Sequence, residues 1–414
     1  MVKGSGNVND KIKLPLEGIR VVELATVVAA PTASRMLCAY GAEVIKVEAL
    51  YGDELRRAGK AEMCPCEDDK NPLFTIANSN KKLTSINFKS SAGKDALLKL
   101  IGRADVFITN VREASLKRNG LDYDSLKEQF PGLIYAHFSG FGPKGPSAGN
   151  PGFDRTAFWL RSGPMADWQE KGSFPFIPTY GFGDISTSSV LLSGILMALI
   201  GRNSTGLGTK VETSLFASGI WCNAAGVVST QFDRKHLNPD PLNPSDPFGT
   251  YYICADGKWL GMCVNEYRRD KEKLARLLGI EDILDDPRYA DIDSLHESGV
   301  LPETVERISE IFLSHDSAYW RQLLSENSVS CEVMQCTCEV SSDPQAIENR
   351  YVEEVEYADG LKVMMPCPPV HFSSYGRRPY SPTGSIGNDT EQIFTELGYS
   401  REEIESMREN GAIG

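Results

Sequence analysis

The chain has 414 residues, of which 41% are hydrophobic and 24% charged, and this composition excludes a disordered or fibrous protein over most of its length. At about 150 residues per domain, the length predicts two or three domains. With 43 basic and 56 acidic residues, the formal net charge is −13, which argues against nucleic acid and anionic membranes as main partners.

The amino-terminal segment shows no targeting signal. Its first ten residues are polar and lack the apolar core of a signal peptide. The chain also contains no run of 18 apolar residues, so we expect no membrane-spanning helix. Residues 1–15 are therefore predicted to form a disordered tail on a cytoplasmic protein.

The first ordered segments alternate between strand and helix patterns. Residues 19–25 predict a buried strand, residues 31–40 a helix and residues 44–48 a second strand. A strand–helix–strand unit of this length has parallel strands and a right-handed crossover. Because the alternation recurs, we predict an α/β, doubly wound, Rossmann-like domain. Further strands are predicted at 83–87, 105–110, 133–138 and 210–215, with helices at 90–101, 115–119 and 185–201.

Two common active-site motifs are missing from this α/β pattern. Residues 25–31, which follow the first strand, lack the Gly-x-Gly-x-x-Gly that lets a backbone approach a dinucleotide pyrophosphate. No Gly-x-Ser-x-Gly elbow occurs either, which argues against an α/β-hydrolase. An ordinary NAD enzyme and a serine hydrolase are both disfavoured.

The sequence pattern of the chain changes near residue 230. Residues 236–249 contain four prolines and suggest a linker, and residues 251–264 predict a hairpin around Ala255-Asp-Gly257. Charged helices are expected over 270–330, and one polar helix over 390–410. The predicted division is a large domain of residues 16–234 plus 331–414 and a smaller α+β domain of residues 235–330.

The ten cysteines include two Cys-x-Cys pairs, Cys64/Cys66 and Cys336/Cys338. Half of a metal site is one interpretation. However, neither pair has a neighbouring histidine or the Cys-x2-Cys spacing of zinc sites. We therefore expect reduced, structural cysteines and no metal site.

Asp184 follows two glycines at the start of an apolar helix. One interpretation is a helix cap, a position that aspartate favours. The other is a nucleophile that the helix N-terminus keeps ionised, with Gly181 and Gly183 leaving room for a substrate. A carboxylate placed in this way can attack a thioester, while nearby backbone N–H groups stabilise the oxyanion.

Several cations occur in loops that follow the predicted strands. Because ligands bind at the carboxyl ends of strands in open α/β sheets, these side chains could hold phosphates, or they could be ordinary solvated residues. The histidines show no metal-ligand spacing, and His137 is expected to pack in the core. The cations in loops after the predicted strands are Lys81, Lys82, Arg112, Arg118 and Lys144.

Taken together, these segments resemble the family III CoA-transferases, the group of formyl-CoA and carnitine CoA-transferases and their racemase relatives. The resemblance extends over residues 15 to 410. It depends on several ordered motifs rather than on any single one. They lie at residues 16–24, 30–31, 41–48, 52–56, 80–82, 105–110, 139–142, 183–184 and 205–208.

The resemblance implies an interlocked homodimer, CoA and acyl-CoA as substrates, small carboxylic acids as partners, and no permanently bound cofactor. It places the nucleophile at Asp184, which would form an aspartyl anhydride and then an aspartyl-CoA thioester. By the same resemblance, the CoA contacts fall on Val27, Val28, Ala29, Lys81, Arg112 and Arg118.

Two departures from the family narrow the subclass. Racemase relatives carry a catalytic histidine where this chain has Phe153, which cannot move a proton. The glycine-run loop of the formyl-CoA subgroup is missing between residues 236 and 265. Residues 151–159 look closest to the transferases for 2-hydroxy acids, the phenyllactate and 2-hydroxyisocaproate type of amino-acid-fermenting anaerobes. The alternatives are an acyl-CoA isomerase and a non-catalytic acyl-CoA-binding protein.

Overall fold

The computed structural model describes residues 13–170, 172–176, 178–232 and 239–414. Most of the tail predicted at 1–15 and the first part of the linker predicted at 236–249 therefore lie outside the described residues. The chain divides into two compact units. The first unit comprises Met1–Pro164, Ile177–Val228 and Asp343–Gly414, and the second comprises Met165–Phe176 and Ser229–Ser342.

A six-stranded sheet forms the centre of the first unit. All neighbouring strands are parallel, and their order is β3-β2-β1-β4-β5-β6. Parallel strands covered on both faces need nearly continuous apolar sequence, and every residue of β4 is buried. The predicted α/β class is thus confirmed. The strands are β1 (Arg20–Leu24), β2 (Glu43–Glu48), β3 (Lys82–Ser85), β4 (Val106–Thr109), β5 (Ile134–Ser139) and β6 (Lys210–Ser214).

Helices cover the sheet. Phe107 and Tyr135 of the sheet pack in one core cluster with Leu97, Phe394 and Ile404 from three helices. Elsewhere in this unit the Ala29–Ala39 helix packs against the Phe182–Thr205 helix. Other helices before residue 230 are Leu55–Ala58, Pro72–Asn78, Ser91–Ile101, Glu113–Asn119, Tyr123–Lys127, Pro164–Asp167, Leu215–Cys222 and Ala224–Ser229, with a π-helix at Asp154–Leu160.

The carboxyl-terminal part of the chain completes this unit. The strands Val352–Glu356 and Lys362–Pro366 pair antiparallel, and the short helix Pro344–Glu348 precedes them. The single helix predicted over 390–410 is wrong. Two helices form instead, Thr390–Glu396 and Arg401–Glu409, because the intervening Gly398 adopts a left-handed backbone with φ +90°.

Residues 412–414 then pair with the chain at the end of β3, which is one edge strand of the sheet. Ile413 forms an antiparallel bridge with Ile86, and the Gly414 N–H donates to the Ser85 carbonyl at 3.1 Å. The Asn87 N–H donates to the Ala412 carbonyl at 2.8 Å. These bonds satisfy backbone groups at an edge that would otherwise be open.

The second unit contains a three-stranded antiparallel sheet built from Tyr251–Ile253, Trp259–Met262 and Cys331–Val333. The predicted hairpin is confirmed, and Gly257 supplies its left-handed turn residue with φ +77°. The core includes Phe312, whose ring stacks on Tyr252 at 5.0 Å. The helices are Tyr267–Leu278, Ile292–Ser298, Leu301–Phe312, Ser317–Glu326 and Thr337–Val340, with 3-10 turns at Glu281–Leu284 and Pro287–Tyr289.

The cysteine prediction is wrong for one of the two pairs. Cys336 and Cys338 form a disulfide, and their Cα atoms lie 5.2 Å apart, within the usual range for such a bond. Cys64 and Cys66 are free thiols, as expected.

The long helix Phe182–Thr205 has a mean hydropathy of 1.6 over its most apolar window. In the part of the chain that the structure describes, it is the one helix long and apolar enough to cross a membrane by length and composition alone. Core helices of globular proteins also have this length and composition. In Phe182–Thr205, however, only 44% of the most apolar 18-residue stretch is buried. The expectation that no segment spans a membrane stays a prediction.

Gly208 offers a test of close backbone packing at the turn before β6. A Cβ on Gly208 would lie 1.9 Å from the Leu133 carbonyl oxygen, so Gly208→Ala should lower the free energy of unfolding by about 1–3 kcal/mol. Gly201→Ala is the matched control. It adds a methyl group in the preceding helix where no atom lies within 4 Å, and it should stabilise the protein by about 0.5–1 kcal/mol. Thermal unfolding measures both, and an unchanged midpoint for Gly208→Ala would contradict the prediction.

Candidate active site

A cleft of the first unit lies where the strand order of the sheet reverses. Strand β1 is followed in sequence by its neighbour β2 on one side, and the chain returns to β4 on the other side. Loops at the carboxyl ends of such strands diverge and leave a crevice between them. The cleft has a volume of about 840 Å³. It is lined by residues that follow β1 (Thr26, Val27, Val28, Ala29), β4 (Asn110, Val111, Arg112) and β5 (Gly140, Gly142, Pro143, Lys144), and by Phe153 and Asp184.

Asp184 lines this cleft from the first turn of the Phe182–Thr205 helix and is only 8% exposed. The helix cap is Gly181, with φ +72°, so the interpretation of Asp184 as the cap is wrong. The role expected for Gly183 also needs correction. A Cβ there would lie 2.4 Å from the Phe158 ring and 2.6 Å from an oxygen of Asp154. Gly183 therefore makes room for the protein's own side chains rather than for a substrate.

Asp154 is the carboxylate next to Asp184. Its Oδ1 accepts the backbone N–H of Asp184 at 2.9 Å, which fixes the start of the helix that carries Asp184. Burial, and then the like charge of Asp154, raise the pKa of Asp184 to about 7. Burial also raises the pKa of Asp154 itself. The expectation that the helix N-terminus keeps Asp184 ionised is thus corrected, because burial and the Asp154 charge raise its pKa well above the ordinary value.

The residues predicted to contact CoA fall into two groups. Val27, Val28, Ala29 and Arg112 line the cleft together with Asp184. Arg118 is exposed and does not line it. Val27, Val28, Ala29 and Arg112 thus lie in loops after β1 and β4, as expected for ligand-binding loops of a parallel sheet.

Lys81 lies in a different environment. Its ammonium is fully buried and donates to Glu23 at 2.6 Å, to the Pro31 carbonyl at 2.9 Å and to Asn78 at 2.9 Å. Burial lowers the pKa of Lys81 to about 8, although the Glu23 carboxylate opposes this effect. The structure therefore places Lys81 inside the protein and does not place it in the cleft.

A set of four buried charged side chains, Glu23, Lys46, Asp53 and Lys81, lies beneath the loop that follows β1. Lys46 donates to Glu23 at 2.8 Å and pairs with Asp53 at 2.8 Å, and all four side chains are shielded from solvent. Burial alone would raise the pKa of Glu23, but Lys46 and Lys81 outweigh it and hold this pKa at about 2. The carboxylates Asp53 and Glu23 likewise raise the pKa of Lys46 against the effect of its burial.

The loop after β1 is held from two sides. The Thr26 N–H donates to the Asn110 side chain at 3.1 Å, and the Asn110 amide donates back to the Thr26 carbonyl at 2.8 Å. The next residue, Val27, has a left-handed backbone with φ +69°, which costs a residue with a Cβ roughly 1–2 kcal/mol. Its N–H donates to Asp53 at 3.0 Å.

Sequence reasoning missed Asp154, Asp53 and the buried charges. The available signal was a charged residue between two apolar ones in each of two neighbouring strands, Val22-Glu23-Leu24 and Ile45-Lys46-Val47. In a parallel sheet covered on both faces, such charges must pair with each other. Asp154 directly follows Phe153. Sequence reasoning did not connect it with Asp184, because the two residues are 30 positions apart.

His137 is buried as expected, and it also lines the cleft. Its Nε2 lies 3.1 Å from the Val111 carbonyl, and its Nδ1 lies 3.8 Å from Glu212, which pairs with Lys210 at 2.7 Å. Within the described ranges, no group of three or more His, Cys, Asp or Glu side chains is arranged to hold a metal ion.

The carboxylate pair predicts how the Asp184 pKa responds to mutation. Asp154→Asn keeps an oxygen that can accept the Asp184 N–H but removes the like charge, so the pKa of Asp184 should fall below 7. Carbon-13 NMR of labelled aspartate, with the resonance assigned by its loss in Asp184→Asn, measures this pKa. Asp124→Asn is the control, since Asp124 lines the same cleft without contributing to the shift. An unchanged pKa in Asp154→Asn would contradict the prediction.

The raised pKa of Asp184 also predicts that this residue lowers the stability of the fold in a pH-dependent way. Asp184 has a pKa of about 7 in the fold and an ordinary value of 3.8 when unfolded, so folding loses stability as the pH rises from about 4 through 7. Asp184→Asn removes this ionisation. The variant should therefore unfold at a higher temperature than the native protein at pH 8, with a smaller difference at pH 4.5. Calorimetric scans at the two pH values test this, and a gain that shrinks with rising pH would be the contrary result.

Comparisons with known proteins place this geometry in a family. The model of CoA-transferase family III matches residues 16–390. The (R)-2-hydroxy-4-methylpentanoate CoA-transferase of Clostridioides difficile is 36% identical over 401 residues, covering 96% of this chain and 99% of that protein. The cinnamoyl-CoA:phenyllactate CoA-transferase of Clostridium sporogenes is 32% identical over 399 residues, covering 96% of each.

Among solved structures, the fold matches a CAIB/BAIF family protein from Brucella suis with a TM-score of 0.76. The two sequences are 26% identical, and the match covers 93% of this chain and 100% of that one. The full-length agreement in sequence and fold therefore establishes that the chain belongs to CoA-transferase family III and is a CoA-transferase.

Proposed function

We propose that the protein moves CoA from an acyl-CoA to a 2-hydroxy carboxylic acid through covalent intermediates on Asp184. The observation that carries the proposal is the position of Asp184, a buried carboxylate in the cleft at the strand-order reversal. Its pKa of about 7 leaves a reactive carboxylate in a substantial fraction of molecules near neutral pH, with little water around it.

The proposed reaction has four balanced displacements. The Asp184 carboxylate attacks the thioester carbonyl, which forms an acyl-aspartyl anhydride and releases CoA as its thiolate. The thiolate attacks the Asp184 side-chain carbonyl, releasing the donor acid and leaving an aspartyl-CoA thioester. The acceptor carboxylate attacks that thioester, which forms a second anhydride and releases the CoA thiolate again. The thiolate then attacks the acceptor's carbonyl, giving the new acyl-CoA and restoring Asp184.

Two considerations support a 2-hydroxy acid as the acceptor class. The relatives with full-length matches are named for 2-hydroxy-4-methylpentanoate and for phenyllactate, one branched and one aromatic acid. Phe153, which lines the same cleft as Asp184, is 59% exposed, and Phe182 is exposed two positions before Asp184. Aromatic side chains of this kind favour a bulky apolar acyl group over oxalate or another small dianion.

Racemisation is the second candidate, and the cleft offers it little support. Phe153 occupies the position where racemase relatives carry their histidine, and a phenyl ring transfers no proton. Deuterium exchange at the α-carbon of a bound acyl-CoA, without an acceptor acid, would favour this alternative.

We also propose that the enzyme works as an interlocked homodimer. Support comes from large apolar side chains that lie exposed in the first unit, which a monomer in water would not favour. Sedimentation equilibrium at 45.5 kDa, the mass of one chain, would contradict the proposal. The exposed apolar side chains that support the homodimer include Phe182, Met197, Ile200, Trp221 and Val228.

The covalent steps predict a trappable adduct. Incubation with cinnamoyl-CoA or isocaproyl-CoA, followed by hydroxylamine or borohydride and intact-mass analysis, should modify Asp184. Asp184→Ala should form no adduct and lose transfer by at least about 10³-fold, because the nucleophile is removed. Asp124→Ala, which alters another acid of the cleft, should retain both. Transfer at the native rate by Asp184→Ala would refute the mechanism.

A further inference from the structure

Val27 has an unusual backbone for its residue type. Five described residues other than glycine have positive φ, namely Val27, Met63, Asn80, Ser328 and Arg350. Val27 alone among them is branched at Cβ, which makes the left-handed region particularly unfavourable. It also lines the cleft beside the nucleophile. Strain of this kind persists only where surrounding contacts enforce it, and it concentrates at functional sites.

One carboxylate supplies that enforcement. Asp53 Oδ1 accepts the Val27 N–H at 3.0 Å and the Leu55 N–H at 2.9 Å. Its own N–H donates to Glu48 at 2.9 Å, and its Oδ2 pairs with Lys46 at 2.8 Å. Asp53 is completely buried, so no water competes for these bonds.

Lys46, which pairs with Asp53, belongs to the central sheet. Lys46 on β2 also donates to the Ala25 carbonyl, at 2.9 Å, and pairs with Glu23 on β1. Because buried charges are costly to leave unpaired, Lys46 holds Asp53 firmly in place. The position of the Val27 N–H is thus defined by two central strands rather than by the loop itself.

The conformation of Val27 sets the direction of the residues that follow. Val28 is the N-cap of the Ala29–Ala39 helix, and its side chain lies against Gly181, 3.4 Å from where a Cβ would be. A rotation at Val27 would therefore move the backbone that faces the cleft and the contact at the start of the Asp184 helix.

We propose that Asp53 is a positioning residue, which holds Val27 in the left-handed conformation so that residues 26–29 bind the CoA part of the substrate. The inference rests on the proposed function, since it assumes that an acyl-CoA occupies the cleft. The role differs from simple stabilisation of the fold, because it predicts that the strain at Val27 and the contact from Asp53 are coupled.

Four variants separate the two roles. Asp53→Ala removes the acceptor, and the KM for acyl-CoA should rise about 10-fold, equivalent to about 1.4 kcal/mol. Asp53→Asn keeps an oxygen for the Val27 N–H, so its KM should stay within about 2-fold of native while thermal stability falls with the lost charge. Val27→Gly in the Asp53→Ala background should restore KM to within about 3-fold, because glycine adopts positive φ freely. The stability of the double variant should stay below that of the native protein, because Lys46 still lacks the Asp53 carboxylate.

Val27→Pro keeps the experiment informative if Asp53→Ala does not fold. Proline fixes φ near −65° and lacks the N–H that Asp53 accepts. It therefore removes both the left-handed conformation and its contact, while the Asp53–Lys46 ion pair is kept. Its KM should rise about 10-fold as well. Calorimetric titration with CoA alone gives the same ranking of variants independently of turnover.

The outcomes distinguish this inference from the proposed function. If the native enzyme forms the Asp184 adduct while Asp53→Ala and Val27→Pro bind CoA normally, the positioning role is wrong and the mechanism stands. If Val27→Gly fails to restore KM in Asp53→Ala, the effect of Asp53 does not run through the conformation of Val27, and the inference is again overturned. If the native enzyme neither forms an adduct nor binds CoA, the proposed function fails first.

Discussion

The Glu23 carboxylate, shared between two buried lysines, is the interaction on which the binding edge of the sheet depends. It joins β1 to β2 through Lys46 and to the residue before β3 through Lys81. Replacing such a group of charges by apolar side chains can leave a protein equally stable or more stable. A hydrophobic replacement would provide no cation for Asp53, however. These charges are therefore best understood as fixing the geometry of a loop rather than as a source of stability.

Two of the residues that line the cleft depart from local structural preferences. One is the left-handed Val27, and the other is a buried carboxylate at Asp184 whose neighbour carries the same charge. Each lowers the stability of the free protein. Functional sites commonly keep such departures while the rest of the chain obeys its propensities. The surrounding sheet obeys them closely, with buried apolar strands and helices on their expected segments.

Much of this arrangement could be predicted from the sequence. Apolar runs alternating with helical periodicity gave the parallel sheet, and the glycines around Asp184 marked the start of its helix. The resemblance to a family then placed a nucleophile at that carboxylate. The buried charges could not be assigned, because Glu23 between two apolar residues has the same pattern as an exposed position of a strand. The contact between Asp154 and Asp184 spans 30 positions and depends on the packing of a π-helix. The turn at Gly398 was overlooked because the polar pattern continues on both sides of it.

The backbone bonds between residues 412–414 and β3 affect the order in which the molecule assembles. During synthesis the ribosome completes all six strands of the sheet about 200 residues before it delivers the segment that covers the sheet's edge. Until then, β3 presents unpaired N–H and C=O groups to other nascent chains, and contacts so distant in sequence form slowly. The edge of the sheet at β3 can therefore close only late in synthesis, after residues 412–414 have been added.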